Sequence, residues 1–300
     1  MSISATLPLE APFATELVVG GRKQRKRRTV GALLLEAQMA EVAAFEFLGG
    51  SVAVFTNRSP QKETPNEDVA ALWPIGPDSG VVAVADGLGG HAGGERASRL
   101  AIETIQKSLQ EAMHSQVEGG EALDLRASIL NGIEAANRAV RELGTGAATT
   151  LALVEIQDRI IRPYHVGDSA ILLTGQRGKV KLQTIPHSPI GYAVEAGLME
   201  EEEAIHHEAR HVISNVIGSE QMRIEIGPPT EMAPRDTLLL ASDGLFDNLL
   251  PDEIIDAIRS GPLNRALGTL IDHAQQRMDN QSGTAPSKPD DLTVIAYRPR

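Results

Sequence analysis

The 300-residue chain contains no cysteine. This absence excludes a disulfide framework, a thiolate nucleophile and a cysteine-ligated zinc site. It is typical of proteins from a reducing compartment, so we expect a cytoplasmic protein. The chain also lacks any apolar run near the ~18 residues that a transmembrane helix needs, and we expect no membrane span.

Positive charge is scarce as well. The chain has 28 Lys and Arg residues against 40 Asp and Glu residues, which gives a net charge of −12. Nucleic-acid binding depends on clustered basic residues, so we expect no nucleic-acid partner. The basic cluster RKQRKRR at 22–28 is the exception, and it is interpreted as a solvated tail or as a contact for an anionic partner. Arg27 and Arg28 resemble a twin-arginine export signal, but Glu36 and Glu41 interrupt the apolar stretch that such a signal requires.

The pattern along the chain predicts an extension followed by one folded domain. We expect residues 1–48 to be an N-terminal extension with a helix at 33–45, and residues 49–300 to be the domain. Apolar, β-branched runs predict strands at 51–55, 80–85, 150–156, 160–166, 169–174, 179–185, 237–242 and 292–297. Helical spacing predicts helices at 94–113, 125–143, 251–259 and 263–278. Strands in groups and helices in pairs favour an α+β fold with antiparallel sheets over alternating βαβ units.

A glycine-rich stretch, DGLGGHAGGERAS at 86–98, follows a buried strand directly. Glycine allows close approach of the backbone, and a dinucleotide or a metal ion are the two candidates for what approaches. A dinucleotide fold needs a second strand that ends in an acid about 20 residues later, and none is found. Asp86 would also place negative charge against the diphosphate. The sequence therefore favours the metal.

Carboxylates stand at several other strand ends. Asp243 follows one apolar run, Asp290 precedes the last one, and Asp68 and Asp168 flank two more. Unpaired carboxylates that meet in a fold repel each other unless cations neutralise them. Because all-oxygen ligands select hard ions, we predict a Mg²⁺ or Mn²⁺ site.

Six motifs resemble those of the metal-dependent protein serine/threonine phosphatases of type 2C, in the bacterial form of the family. They occur in the family's order between residues 50 and 298. The motifs are NED (66–68), VADGLGGHAGGERAS (84–98), GAATTLALVEI (146–156), HVGDSAILL (165–173), LLLASDGLFDNL (238–249) and DDLTVIAY (290–297). The resemblance implies a four-layer αββα sandwich, with two antiparallel sheets flanked by helix pairs and a flap near the active site. It implies hydrolysis of phosphoserine and phosphothreonine in proteins by a water that bridges two metal ions.

The resemblance also implies roles for individual residues. Asp86 would bridge both ions, and the Gly87 carbonyl would bind one of them, with Glu67 reaching that ion through water and Asp68 beside it. Asp243 and Asp290 would complete the coordination of the other ion. A weaker third ion would lie between Asp168 and Asp243, and Asp247 would lie near the centre in a lesser role.

Two departures from the family pattern concern the substrate. Glu63 occupies the position where the family usually has a phosphate-binding Arg, so Lys62 or Arg58 is expected to bind phosphate instead. Leu88 occupies the position of a His that serves as a candidate general acid in eukaryotic members. Protonation of the leaving group is then expected to fall to metal-bound water.

The motif HEARH at 207–211 matches HExxH, a zinc-protease pattern on a helix. Its acidic surroundings and the lack of a further ligand favour a flap helix, with a zinc site as the alternative. The leading function is an active phosphatase that opposes a Ser/Thr kinase and acts as a monomer. The alternatives are a phosphatase-like binding module without turnover, and a phosphatase dedicated to one regulatory protein such as an anti-sigma-factor antagonist.

Overall fold

The computed structural model describes residues 31–60, 62–89, 93–119, 123–280 and 285–300. The basic cluster at 22–28 and His91 lie outside the described residues. The strands are β1 (Ala32–Leu35), β2 (Ala43–Phe47), β3 (Gly50–Asn57), β4 (Asp68–Pro74), β5 (Ser79–Leu88), β6 (Ala148–Thr149), β7 (Leu151–Gln157), β8 (Ile160–Val166), β9 (Ala170–Thr174), β10 (Val180–Gln183), β11 (Glu225–Ile226), β12 (Thr230–Glu231), β13 (Thr237–Ala241) and β14 (Leu292–Arg298). The helices are α1 (Gly94–Gly119), α2 (Leu125–Glu142), α3 (Pro189–Glu195), α4 (Glu201–Ala204), α5 (Asp243–Phe246), α6 (Pro251–Ile258) and α7 (Leu263–Asp279).

The strands form two antiparallel sheets. The first has the order β1-β4-β5-β7-β8-β11, with β12 also paired to β8 and β6 paired to the end of β5. The second has the order β10-β9-β13-β14-β3-β2. Both central strands and their neighbours pair antiparallel throughout, which confirms the expected sheet type.

Alternation of side chains along the strands builds four layers. In β5, Val81 and Ala83 pack with the helix pair α1 and α2, whereas Val82 and Val84 point into the core between the sheets. In β13, Leu238 and Leu240 join that same central core, and the intervening Leu239 packs with α6 and α7. Both faces of each sheet are therefore apolar, as burial on two sides requires. The predicted αββα sandwich is confirmed.

The eight predicted strands and the four helices predicted within residues 49–300 are all present. The helix expected at 33–45 is wrong, because β1 pairs with β4 and β2 pairs with β3. Both strands precede residue 49, so the sheets include part of the segment that we expected to be an extension. Strand β4 was not predicted at all, although its seven residues are buried without exception.

The fold brings several acid-bearing strand ends together. Asp68 begins β4 directly opposite Asp86 near the end of β5. In the second sheet β13 runs antiparallel to β14, so Asp243 after β13 lies at the same end as Asp290 before β14. No helix within the described ranges is long and apolar enough to cross a membrane.

Candidate metal centre

A close approach of three segments explains two glycines, Gly87 near the end of β5 and Gly94 at the start of α1. A Cβ on Gly87 would lie 2.2 Å from the carbonyl oxygen of Gly94, and a Cβ on Gly94 would lie 2.5 Å from Glu67 Oε1. The Gly87 amide donates to the Glu67 carbonyl over 3.2 Å. Only glycine fits such contacts. They hold the Gly87 carbonyl and the Glu67 side chain side by side, as the predicted metal ligands require.

Asp68 and Asp86 form the buried side of the cluster. Oδ2 of Asp68 accepts a hydrogen bond from the Ser242 hydroxyl over 2.7 Å. The Asp86 backbone is held where β6 joins β7, since its amide donates to Thr150 Oγ1 over 3.0 Å and its carbonyl accepts from Thr149 Oγ1 over 2.7 Å. The Asp68 carboxylate and the Asp86 backbone are thus held by neighbouring segments.

The second side of the cluster contains a lysine that was not predicted. The Lys288 ammonium lies 2.7 Å from Asp243 Oδ2, 2.7 Å from Asp247 Oδ2 and 3.1 Å from Asp290 Oδ2. Lys288 precedes Asp290 by two residues, and the loop that carries it is tied to α5 through Asn248. A positive charge therefore stands among the carboxylates that were expected to bind the second and third ions.

A second lysine pairs with carboxylates at the opposite edge of the acidic cluster. The Lys62 ammonium lies 2.6 Å from Glu67 Oε2 and 2.6 Å from Asp291 Oδ2. Asp291, which was also missed, accepts further hydrogen bonds from the amides of Ser59 and Glu67 over 2.8 and 2.7 Å. Arg58 lies apart, and its guanidinium donates to the Glu63 carbonyl over 3.4 Å. Of the two predicted phosphate-binding residues, only Lys62 contacts the cluster.

Burial and mutual repulsion raise the pKa values of these carboxyl groups. Burial is the main reason for the raised pKa of Asp86, followed by the charges of Asp68 and Asp243. Burial is also the main cause of the raised pKa of Asp168. The pKa of Asp290 rises to about 7 because of burial and Asp243, against the opposing effect of Lys288. Without further cations, the cluster is under electrostatic stress.

Three buried carboxylate oxygens in the cluster have no hydrogen-bond partner among the described residues. They are Oδ1 of Asp68, Asp168 and Asp243. A buried carboxylate oxygen without a partner is costly, and a cation removes that cost. The donor atoms are all oxygens, which suits Mg²⁺ or Mn²⁺. The residues present therefore fit a metal centre of the predicted kind.

The segment 205–211 differs from the predicted flap helix. Helix α4 ends at Ala204, and the residues that follow form turns in which the Ala209 amide donates to His207 Nδ1 over 3.1 Å. The helix expected over HEARH is wrong, because these residues form turns. The zinc alternative fails for the same reason, because HExxH needs one helical turn between its histidines.

A second cluster of ligand-type side chains lies behind the Asp168 turn. One ligand atom from each of His165, His187 and Glu225 lies within 4.8 Å of the other two. His187 Nδ1 accepts a hydrogen bond from the Gly167 amide over 3.0 Å, so its proton is on Nε2, which lies 2.9 Å from Glu225 Oε2. His165 Nε2 lies 2.7 Å from the Ser169 carbonyl, and that contact assigns its proton too. The tautomers follow from the hydrogen bonds. This network holds both sides of the turn that carries Asp168.

The comparisons with known proteins identify the family. A model of the family "Protein phosphatase 2C" matches residues 58–281. The chain belongs to the type 2C protein phosphatase family. Its predicted class, a protein serine/threonine phosphatase, is confirmed. Protein phosphatase PhpP of Streptococcus pneumoniae is 30% identical over 242 residues, which cover 78% of this chain and 92% of PhpP.

Solved structures of bacterial serine/threonine phosphatases share the fold. The Streptococcus agalactiae enzyme is 28% identical, with a TM-score of 0.69 over 83% of this chain and 99% of its own. The catalytic domain of the phosphatase PstP, solved with two manganese ions, is 25% identical, with a TM-score of 0.63 over 82% of this chain and 96% of its own.

Proposed function

We propose that this phosphatase hydrolyses phosphoserine and phosphothreonine in proteins with two Mn²⁺ or Mg²⁺ ions bound at the acidic cluster. The observation that carries the proposal is the set of buried, unpartnered carboxylate oxygens on Asp68, Asp168 and Asp243. The manganese pair in the PstP structure supports the choice of ion.

The placement of the residues supports the ligand set that the family resemblance implies. Asp86 would contact both ions, the Gly87 carbonyl and Glu67 would hold one, and Asp243 and Asp290 would hold the other. Asp168 would share a weaker third ion with Asp243. When bound, two cations lower the pKa of a water and neutralise charge on the phosphoryl oxygens, so no protein nucleophile is needed.

The protein's own groups keep the ligands in place. The Ser242 hydroxyl holds Asp68, and the Ser242 Oγ in turn accepts from the Thr293 amide over 3.0 Å. Ser98 donates to the Glu67 carbonyl over 2.6 Å. Lys62 lies at the edge of the cluster, where its ammonium would bind a phosphoryl oxygen. Arg58 remains a candidate for phosphate binding only if its loop turns inward.

The test is phosphate release from a phosphothreonine peptide with Mn²⁺, with EDTA, and with Asp86→Asn. We expect EDTA to abolish release and Asp86→Asn to lower kcat/KM by about 10³-fold, because a metal ion contributes several kcal/mol to phosphoryl transfer. Asp272→Asn, an exposed carboxylate on α7, is the matched control. Release that survives EDTA would contradict the proposal.

A binding module without turnover is the second candidate, because Glu63 replaces the family's phosphate-binding Arg. Mn²⁺ binding without release from any phosphopeptide would favour it, or a phosphatase dedicated to one regulatory protein. An opposing Ser/Thr kinase and a monomeric state stay predictions. A cytoplasmic location also stays a prediction from the lack of cysteine.

A further inference from the structure

A cleft of about 310 Å³ opens beside the acidic cluster, between residues 188–211, called the flap below, and the start of α6. Asp168 and Asp243 form part of its lining, so the cleft is continuous with the proposed metal centre. The opposite lining comes from α3, α4 and the turns that follow them. A substrate whose phosphate reached the metals would have to place neighbouring residues in or over this cleft.

Part of the lining on both sides of the cleft is apolar. It comes from Ile190 and Val194 of α3, Ile205 after α4, Phe246 at the end of α5 and Leu250 before α6. All except Ile205 are only half-buried, so they leave apolar surface in contact with water. An apolar side chain of a bound polypeptide would cover that surface.

The charge on the flap side of the cleft is negative. Glu195 and Glu201 line it and are both exposed, and neither forms an ion pair with a described residue. Asp247 also lines it, although its carboxylate is paired with Lys288. A basic side chain of a substrate would therefore find unpaired carboxylates at the flap.

Arg210 is the only Lys or Arg among the described residues that line the cleft. Its guanidinium Nη1 donates to the Ile205 carbonyl, which fixes the side chain against the flap backbone. Burial raises the pKa of Asp247, and the charge of Arg210 opposes that rise. A guanidinium has five N–H donors in a fork that matches phosphate oxygens. Arg210 thus offers the cleft a phosphate-binding group, whereas residue 63 does not line the cleft.

We propose that this cleft binds the polypeptide beside the phosphorylated residue and selects a segment with one apolar and one basic side chain. Arg210 would contact the phosphate, the apolar lining would cover the apolar side chain, and Glu195 and Glu201 would pair with the basic one. The proposal rests on the proposed phosphatase function and names the substrate class for that site.

The test uses three phosphothreonine peptides that differ only beside the phosphothreonine, where they carry Lys-Leu, Glu-Leu or Gly-Ser. We expect kcat/KM for the Lys-Leu peptide to exceed that for the Glu-Leu peptide by about tenfold, since exposed charge pairs contribute modestly and add up. The double variant Glu195→Lys/Glu201→Lys should abolish or reverse this ratio. The ratio should also shrink as salt is added.

The control is Glu134→Lys/Glu142→Lys, which makes the same change in net charge on exposed positions of α2. It should leave the peptide ratio unaltered. Equal ratios in the flap variant and the unaltered protein would overturn the proposal. Mn²⁺-dependent turnover of p-nitrophenyl phosphate tests the phosphatase function separately from the cleft, because this substrate has no flanking residues. If that turnover is absent, the proposed function fails, and if it is present without any peptide preference, only the cleft proposal fails.

Discussion

The acidic cluster and the histidine cluster lie a few residues apart along the chain, yet they differ in what their ligand atoms can do. His165, His187 and Glu225 bring their ligand atoms within 4.8 Å of one another. However, His187 Nδ1 already accepts an amide proton and its Nε2 carries the other, so this imidazole has no lone pair left for a metal. His165 Nδ1 is buried without a hydrogen-bond partner among the described residues, whereas the acidic cluster has three carboxylate oxygens in that state.

Proximity of ligand-type side chains is therefore a poorer guide to a metal site than the state of their lone pairs. A metal-binding His normally donates its second N–H to an acceptor. His165 does so toward the Ser169 carbonyl, and His187 does so toward Glu225. However, the remaining nitrogen of His187 already accepts the Gly167 amide. We infer that the histidine cluster positions the Asp168 turn, and that the acidic cluster binds the ions.

Among variants that keep every carboxylate, Gly94→Ala should produce the largest change in Mn²⁺ affinity. The new Cβ would lie 2.5 Å from both Glu67 Oε1 and the Gly87 carbonyl oxygen, so both proposed ligands of one ion must move. We expect Mn²⁺ affinity, measured by calorimetry, to fall about 10–100-fold. Gly268→Ala on α7, where a Cβ meets nothing within 4 Å, is the control. Unchanged affinity in Gly94→Ala would remove Glu67 and Gly87 from the ligand set.

Lys288→Met should change Mn²⁺ affinity in the opposite direction. In the unaltered protein, the ions must break the ion pairs of the ammonium with Asp243, Asp247 and Asp290. Without the ammonium, we expect Mn²⁺ to bind about tenfold more tightly, or by roughly 1.4 kcal/mol. Calorimetry on the metal-free protein measures it, with Lys107→Met on the exposed face of α1 as control. Weaker binding in Lys288→Met would show that Lys288 organises the ligands rather than competing with the ions.

The smallest effect concerns pH. The pKa values of Asp68, Asp86 and Asp290 are raised in the folded protein, mainly by burial. A raised carboxyl pKa contributes stability at low pH that is lost as pH rises through the folded value. The Tm of the metal-free protein should therefore fall by several degrees between pH 5 and about 8, and Mn²⁺ should remove the fall. Asp290→Asn should flatten the profile, whereas a metal-free Tm that rises over this range would contradict the account.

Most of the fold could be predicted because its strands and long helices have strong local patterns. GVVAVA before Asp86 and TLLLAS before Asp243 are buried runs that end in an acid, and both are central strands. The residues at 33–45 misled us because their apolar spacing also fits a helix. Their strand conformation depends on pairing with later strands, with Val69 opposite Leu35 and Val54 opposite Ala43.

The site could be predicted only in part. The carboxylates stand out because they follow or precede buried runs. Lys288 does not, since its ammonium meets Asp243, which lies 45 residues earlier, only once α5 and the last loop are packed. Asp291 was hidden by its neighbour Asp290, and nothing in their order shows which of the two accepts backbone amides. Arg210 was seen only as part of a false zinc motif, because its cleft forms from distant segments.

The most direct measurement is an anomalous difference map, recorded at the manganese absorption edge, from crystals of the protein soaked in Mn²⁺. The account predicts peaks in contact with Asp86, Asp243 and Asp290, and no peak between His165 and His187. A manganese ion on the two histidines, with the acidic cluster empty, would contradict it.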